Sequence, residues 1–110
     1  MRRSLKKLEE TIRISKTKKE KAIAFYNLGL FHDNNSREVL AIPNYEKALR
    51  FGLDQETKAK CLAWLASSLY KTGKPKEALL KVDKSLKISK EGKLIKFLKG
   101  LRRRLERIIR

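Results

Sequence analysis

The sequence predicts an all-α fold of about six helices joined by short turns, and three observations predict it. Apolar residues recur at three- and four-residue spacing along almost the whole chain. Helix formers dominate, and only two prolines and five glycines interrupt the 110 residues. Clusters of cap and turn residues fall between one periodic stretch and the next. With 41% apolar and 37% charged residues, the length suits one small domain over residues 1–110 with a thin core.

Taken in order, Leu5, Leu8, Ile12 and Ile14 give a first amphipathic helix over about 3–16. The polar run Ser15-Lys16-Thr17-Lys18-Lys19 breaks that stripe as a turn. A second helix follows over about 20–33, apolar at Ile23, Ala24, Leu28 and Phe31. Asp33-Asn34-Asn35-Ser36 is a cluster of turn formers, with Ser36 and Glu38 suited to starting the next helix. That third helix spans about 37–51 and stops at Gly52, with Pro43 inside it to bend it or free a carbonyl. Asp54 caps a fourth helix over about 55–71, with Thr57 three residues on. Thr72-Gly73-Lys74-Pro75 is a stop-and-restart signal, glycine after one helix and proline at the start of the next. The fifth helix covers about 75–89, with Ala78, Leu79, Val82 and Leu86, and Glu91-Gly92 ends it. The sixth covers 93–109 and carries Leu94, Phe97, Leu98, Leu101, Leu105 and Ile108.

Basic side chains number 29 against 12 acidic ones, a net charge of +17. That excess implies attraction to anionic partners. It is uneven: residues 1–21 and 93–110 are strongly basic, 59–92 moderately so, and 22–58 nearly neutral. The single cysteine, Cys61, excludes an intramolecular disulfide and a cysteine zinc cluster, and the single histidine, His32, excludes a multi-histidine metal site. No apolar run is long enough for a transmembrane helix, and the basic start Met1-Arg2-Arg3-Ser4-Leu5-Lys6-Lys7 lacks the apolar segment of a secretory signal. A cytoplasmic location is the expectation.

The chain repeats itself. Residues 22–32 align with 59–69, and residues 38–49 align with 75–86, both at an offset of 37. Phe25-x-x-Leu28-Gly29-x-x-His32, then Ala41-x-x-x-Tyr45 and Ala48, resembles the tetratricopeptide repeat. The second copy, Leu62-x-x-Leu65-Ala66-x-x-Leu69 with Ala78, Val82 and Ser85, resembles it too. The stretch Phe31-His32-Asp33 through Ala48-Leu49 is similar to a bacterial group of these repeats with an "HD…GRE…AIPxYExAL" hairpin. Sterically, small residues at Gly29/Ala66 and Ala41/Ala78 let paired helices approach, while Phe25, Tyr45 and Val82 fill the seam. The first repeat is three residues over the usual period of about 34, an excess placed in the 53–57 loop, and Lys90 stands where a proline is usual. The resemblance implies a short α-solenoid: residues 1–21 a basic helix, 22–58 and 59–92 two repeats, and 93–110 a basic capping helix or truncated third repeat.

It also implies a protein-interaction module that takes a peptide or partner helix in a concave groove. The family's groove positions map to Ile23, Tyr26, Asn27, Leu30, Asp33 and Asn34, and in the second copy to Lys60, Ala63, Trp64, Ser67, Tyr70 and Lys71. Tyr26, Trp64 and Tyr70 are the aromatic anchors among them. The family's carboxylate clamp is not expected, because Tyr26 and Leu30 stand at two of its places and Trp64 at a third where asparagine is wanted.

The alternative is a nucleic-acid or anionic-surface binder that uses the terminal helices. The basic run Arg102, Arg103, Arg104, Arg107 and Arg110 suits phosphate backbones or, being basic and amphipathic, anionic lipid. Self-association through exposed ends at Leu94, Ile108 and Ile109 is a third reading. Catalysis is not expected: His32 and Asp33 lie on different helix faces, Cys61 beside Lys60 reads as a structural thiol, and no phosphate loop, nucleophile elbow or HExxH motif occurs. No cofactor is implied.

Overall fold

The structure, a computed structural model, describes the backbone from Arg2 and the side chains from Leu5. Met1 and the side chains of Arg2, Arg3 and Ser4, which open the basic N-terminal stretch, lie outside the described residues. Among the described residues six helices form: α1 (Arg2–Ile14), α2 (Lys18–Asn34), α3 (Glu38–Phe51), α4 (Gln55–Lys71), α5 (Pro75–Ile88) and α6 (Gly92–Ile109). The all-α, helix–turn–helix expectation holds, and each boundary falls within two residues of its expected place. The helices gather into two compact units, one reaching to Leu53 and the other spanning Asp54–Arg110. In the first, α2 pairs with α3 and α1 packs on α2; in the second, α4 pairs with α5, and α6 lies against both.

Side-chain caps open two of the helices, α2 and α4. Asp54 opens α4 by accepting from Thr57 N at 2.8 Å. Thr17 opens α2 through a capping box: its hydroxyl accepts from Glu20 N at 3.0 Å, and Glu20 Oε1 accepts from Thr17 N at 3.3 Å. A further bond from Lys16 N helps hold the Glu20 carboxyl below its ordinary range. α3 continues through Pro43, which has no N–H to give the Val39 carbonyl, on an exposed part of the helix. Asn44 Nδ2 donates to the neighbouring Leu40 carbonyl at 2.9 Å.

Ser36, expected to start the third helix, closes the second instead. It sits in the left-handed region at φ 57°, and Arg37 becomes the α3 N-cap without a side-chain bond. Ser36 N bonds Asp33 O at 3.0 Å and Arg37 N bonds His32 O at 2.8 Å, which is a Schellman closure. Thirty-seven residues on, Gly73 (φ 80°) and Lys74 make the same pair of bonds to Tyr70 and Leu69. Serine carries a Cβ into a conformation that glycine adopts without penalty. Ser36→Gly is therefore expected to stabilise the chain by about 0.5–1 kcal/mol, read as a raised urea midpoint. An unchanged or lowered midpoint would contradict that account.

The seams follow the repeat register. Gly29 on α2 faces Tyr45 on α3, whose ring is fully buried and whose hydroxyl donates to Asp33 Oδ2 at 2.8 Å. In the second unit Ala66, Ala78 and Val82 occupy the matching places and are fully buried. Ser85, where the first repeat has Ala48, donates to the Ala59 carbonyl at 2.7 Å and so ties α5 to α4. Leu94, Leu98, Leu101 and Leu105 put the leucine stripe of α6 into this core, while Phe97 and Ile108 stay exposed.

Candidate functional site

On α4, Lys60, Trp64, Ser67 and Lys71 stand at i, i+4, i+7 and i+11, which aligns them on one face about 16 Å long. None of the four is buried, whereas most of the helix between them is. Trp64, the chain's single tryptophan, is half-buried, and its ring packs on Phe97 of α6 with centroids 5.4 Å apart and planes inclined at 59°. Phe97 remains 38% exposed. The two helices thus present a partly open aromatic pair with Lys60 and Lys71 toward the two ends of the stripe. Lys60 is steadied by Glu56, one turn earlier, at 3.8 Å. Beside it a recess of about 460 Å³ is lined by Gln55, Glu56, Lys60, Ile88, Lys90 and Leu94, among others.

The other expected groove residues are placed differently. Tyr70 is half-buried and lies roughly 120° around α4 from Trp64. On α2, Asn27 is exposed and Leu30 half-buried. Tyr26 is 9% exposed, its ring tilted against Tyr45 with centroids 6.2 Å apart, and Ala63 is fully buried. Phe97 was absent from the expected set. A third repeat's first helix lying beside the second's was the available signal.

The first unit has an aromatic cluster of its own. Phe25 and Phe51 stack with centroids 5.7 Å apart, Lys47 Nζ lies 5.3 Å from the Phe25 ring centre, and Lys21 Nζ lies 5.9 Å from that of Phe51. Lys21 and Lys47 thus each lie over an aromatic ring, while Lys47 remains solvent-exposed.

The C-terminal arginines divide. Arg102 is engaged by two carboxylates, Asp83 Oδ1 at 2.8 Å and Glu106 Oε2 at 2.9 Å, which bind it into the α5–α6 seam. Arg103, Arg104, Arg107 and Arg110 are exposed. Of the ends expected to self-associate, Ile108 is 52% exposed and Ile109 half-buried, whereas Leu94 is only 6% exposed because it belongs to the α6 core stripe.

His32 and Cys61 are packing residues. Burial pushes the Cys61 thiol up to about 12. His32 is 8% exposed, with its ring edge-on to Phe31. Burial first, then nearby Arg37, lowers its pKa from the ordinary 6.5, with Glu9 opposing. The unfolded chain therefore takes up this proton before the folded one does, and stability falls as pH drops below about 6.5. Urea midpoints measured at about pH 7.5 and 5.5 are expected to differ in the wild type and to converge in His32→Gln; an equal difference in both would contradict it.

Among the described residues no helix is long and apolar enough to cross a membrane. A search of curated proteins finds no match. The family model described as "Tetratrico peptide repeat" matches residues 21–102. Repeats of this kind typically serve as protein-interaction modules rather than catalysts, and their paired helices carry the small-residue seams found here at Gly29 and Ala66. By its repeat register, its helical hairpins and this match over most of its length, the chain belongs to the tetratricopeptide-repeat family.

Proposed function

We propose that the chain is a protein-binding module whose contact surface in the second unit is the α4–α6 face, taking an extended peptide or a partner helix. The observation that carries this reading is the Trp64–Phe97 pair, half-covered and flanked by Lys60, Ser67 and Lys71. Large rings held in place by a neighbour lose little entropy on binding, and aromatic side chains dominate interface hot spots. Tyr70, on the adjoining flank of α4, widens the surface. On α2, Asn27 and Leu30 offer a smaller face of the same kind, to which Tyr26 contributes support through Tyr45 rather than contact area.

Trp64 is its own reporter. Peptides selected from a random library on the wild-type protein are expected to shift tryptophan emission as they bind. Trp64→Ala and Phe97→Ala, both read by the fluorescence anisotropy of the labelled peptides because the first variant removes the chain's single tryptophan, are each expected to weaken the same peptides by roughly thirty-fold, the loss of about 2 kcal/mol typical of a hot spot. Selected peptides that bind both variants as tightly as wild type would place the contact surface elsewhere.

A further inference from the structure

We propose that the outward face of α6 is a second binding site, for the phosphate backbone of nucleic acid, separate from the α4–α6 aromatic face. At 3.6 residues per turn, Lys96, Lys99, Arg103, Arg107 and Arg110 fall within roughly a quarter of the helix circumference, in a stripe about 21 Å long. All five are exposed, and none is held in an ion pair. Glu106, the one acidic side chain of the helix, stands on the flank and binds Arg102, which Asp83 also engages. The carboxylates nearest the stripe are therefore already occupied, and its five cations repel one another until a polyanion lies along them.

The arrangement selects among polyanions. An amphipathic helix that lies on lipid needs its apolar face free, and here Leu94, Leu98, Leu101 and Leu105 are buried against α4 and α5. An acidic peptide would have to carry carboxylates in step with the whole stripe, whereas a nucleic-acid backbone offers a charge at every nucleotide. Three of the five cations are arginines, whose planar fork holds phosphate oxygens two at a time. The contacts are to backbone, so recognition is expected to be indifferent to base sequence.

The test uses the full chain and fluorescent mixed-sequence RNA, single-stranded and duplex, across a salt series. With five phosphates engaged, log K against log salt is expected to fall with a slope near −3.5 for the single strand and −4.5 for the duplex. Arg103→Gln/Arg107→Gln/Arg110→Gln is expected to lose more than ten-fold in affinity at about 100 mM salt and to flatten the slope by about two units for the single strand and nearly three for the duplex. Lys96→Gln/Lys99→Gln, at the other end of the stripe, should reproduce a smaller loss, so a folding defect in one variant does not decide the matter. The control is Lys76→Gln/Lys84→Gln/Lys87→Gln on α5, with the same loss of charge and a much smaller effect expected. Trp64→Ala should leave RNA binding intact, which keeps this site distinguishable from the peptide surface. Absent RNA binding at about 50 mM salt would overturn the proposal. So would an α5 control as damaging as the arginine variant, or anionic vesicles or polyglutamate bound more tightly than RNA.

Discussion

Gly29→Ala is expected to destabilise the protein by about 1 kcal/mol net, although alanine is the better helix former by about 1 kcal/mol. A Cβ built at residue 29 would lie 2.6 Å from both Cδ1 and Cε1 of Tyr45. The ring has little room to withdraw, because it is fully buried and its hydroxyl is tied to Asp33. Either α2 and α3 separate or the hydrogen bond breaks, and overpacking of this kind costs about 1–3 kcal/mol in a close-packed seam. The second repeat shows the alternative solution at the same register: Ala66 opposite Val82. In a Tyr45→Val background, Gly29→Ala is accordingly expected to become neutral or mildly stabilising. A double-mutant cycle by urea denaturation reads the coupling directly. If Gly29→Ala costs the same in both backgrounds, the clash is not the cause.

That exchange of volume between repeats explains why so much of the fold was legible. An offset of 37 aligned Gly29 with Ala66 and Tyr45 with Val82 before any geometry was known, and complementary sizes at paired positions are the signature of one seam used twice. Boundaries were legible where a residue type has one physical use, as with Asp54 capping α4 or Gly52 ending α3. Ser36 misled because serine suits a helix start, yet the register to Gly73 pointed to a left-handed closure. The capping box at Thr17–Glu20 was also written in the sequence, hidden inside a lysine-rich run that reads as a plain turn. The candidate site was partly legible for the same reason. Repeat register fixes which face of α4 holds Lys60, Trp64, Ser67 and Lys71. It does not say how far a facing side chain covers each residue, as Tyr45 does the Tyr26 ring. Phe97 is legible only if α6 is taken as a third repeat's first helix lying beside α4, as the packing of its ring on Trp64 requires.

Leu98→Ala carries the other large expectation, a loss of about 3 kcal/mol. The side chain is fully buried within the stripe of Leu94, Leu101 and Leu105 that holds α6 on α4 and α5. Small helical units have only a few kcal/mol in hand, so this deletion is expected to lower the melting temperature sharply and loosen α6. From sequence alone the same stripe read equally well as a lipid-facing surface, since a basic amphipathic helix has the same pattern whether its apolar side meets a core or a bilayer. The two uses predict opposite results. A core stripe makes Leu98→Ala destabilising, with vesicle adsorption unchanged as long as the helix is folded; a lipid-facing stripe leaves melting unchanged and abolishes adsorption. Substituting Arg103 and Arg107 on the far side should shift stability by no more than about 0.5 kcal/mol, while changing the response to polyanions and salt. If both sides of α6 affected melting equally, its charges would have to be holding the fold, and the exposed stripe would have to be paired where the structure shows only solvent.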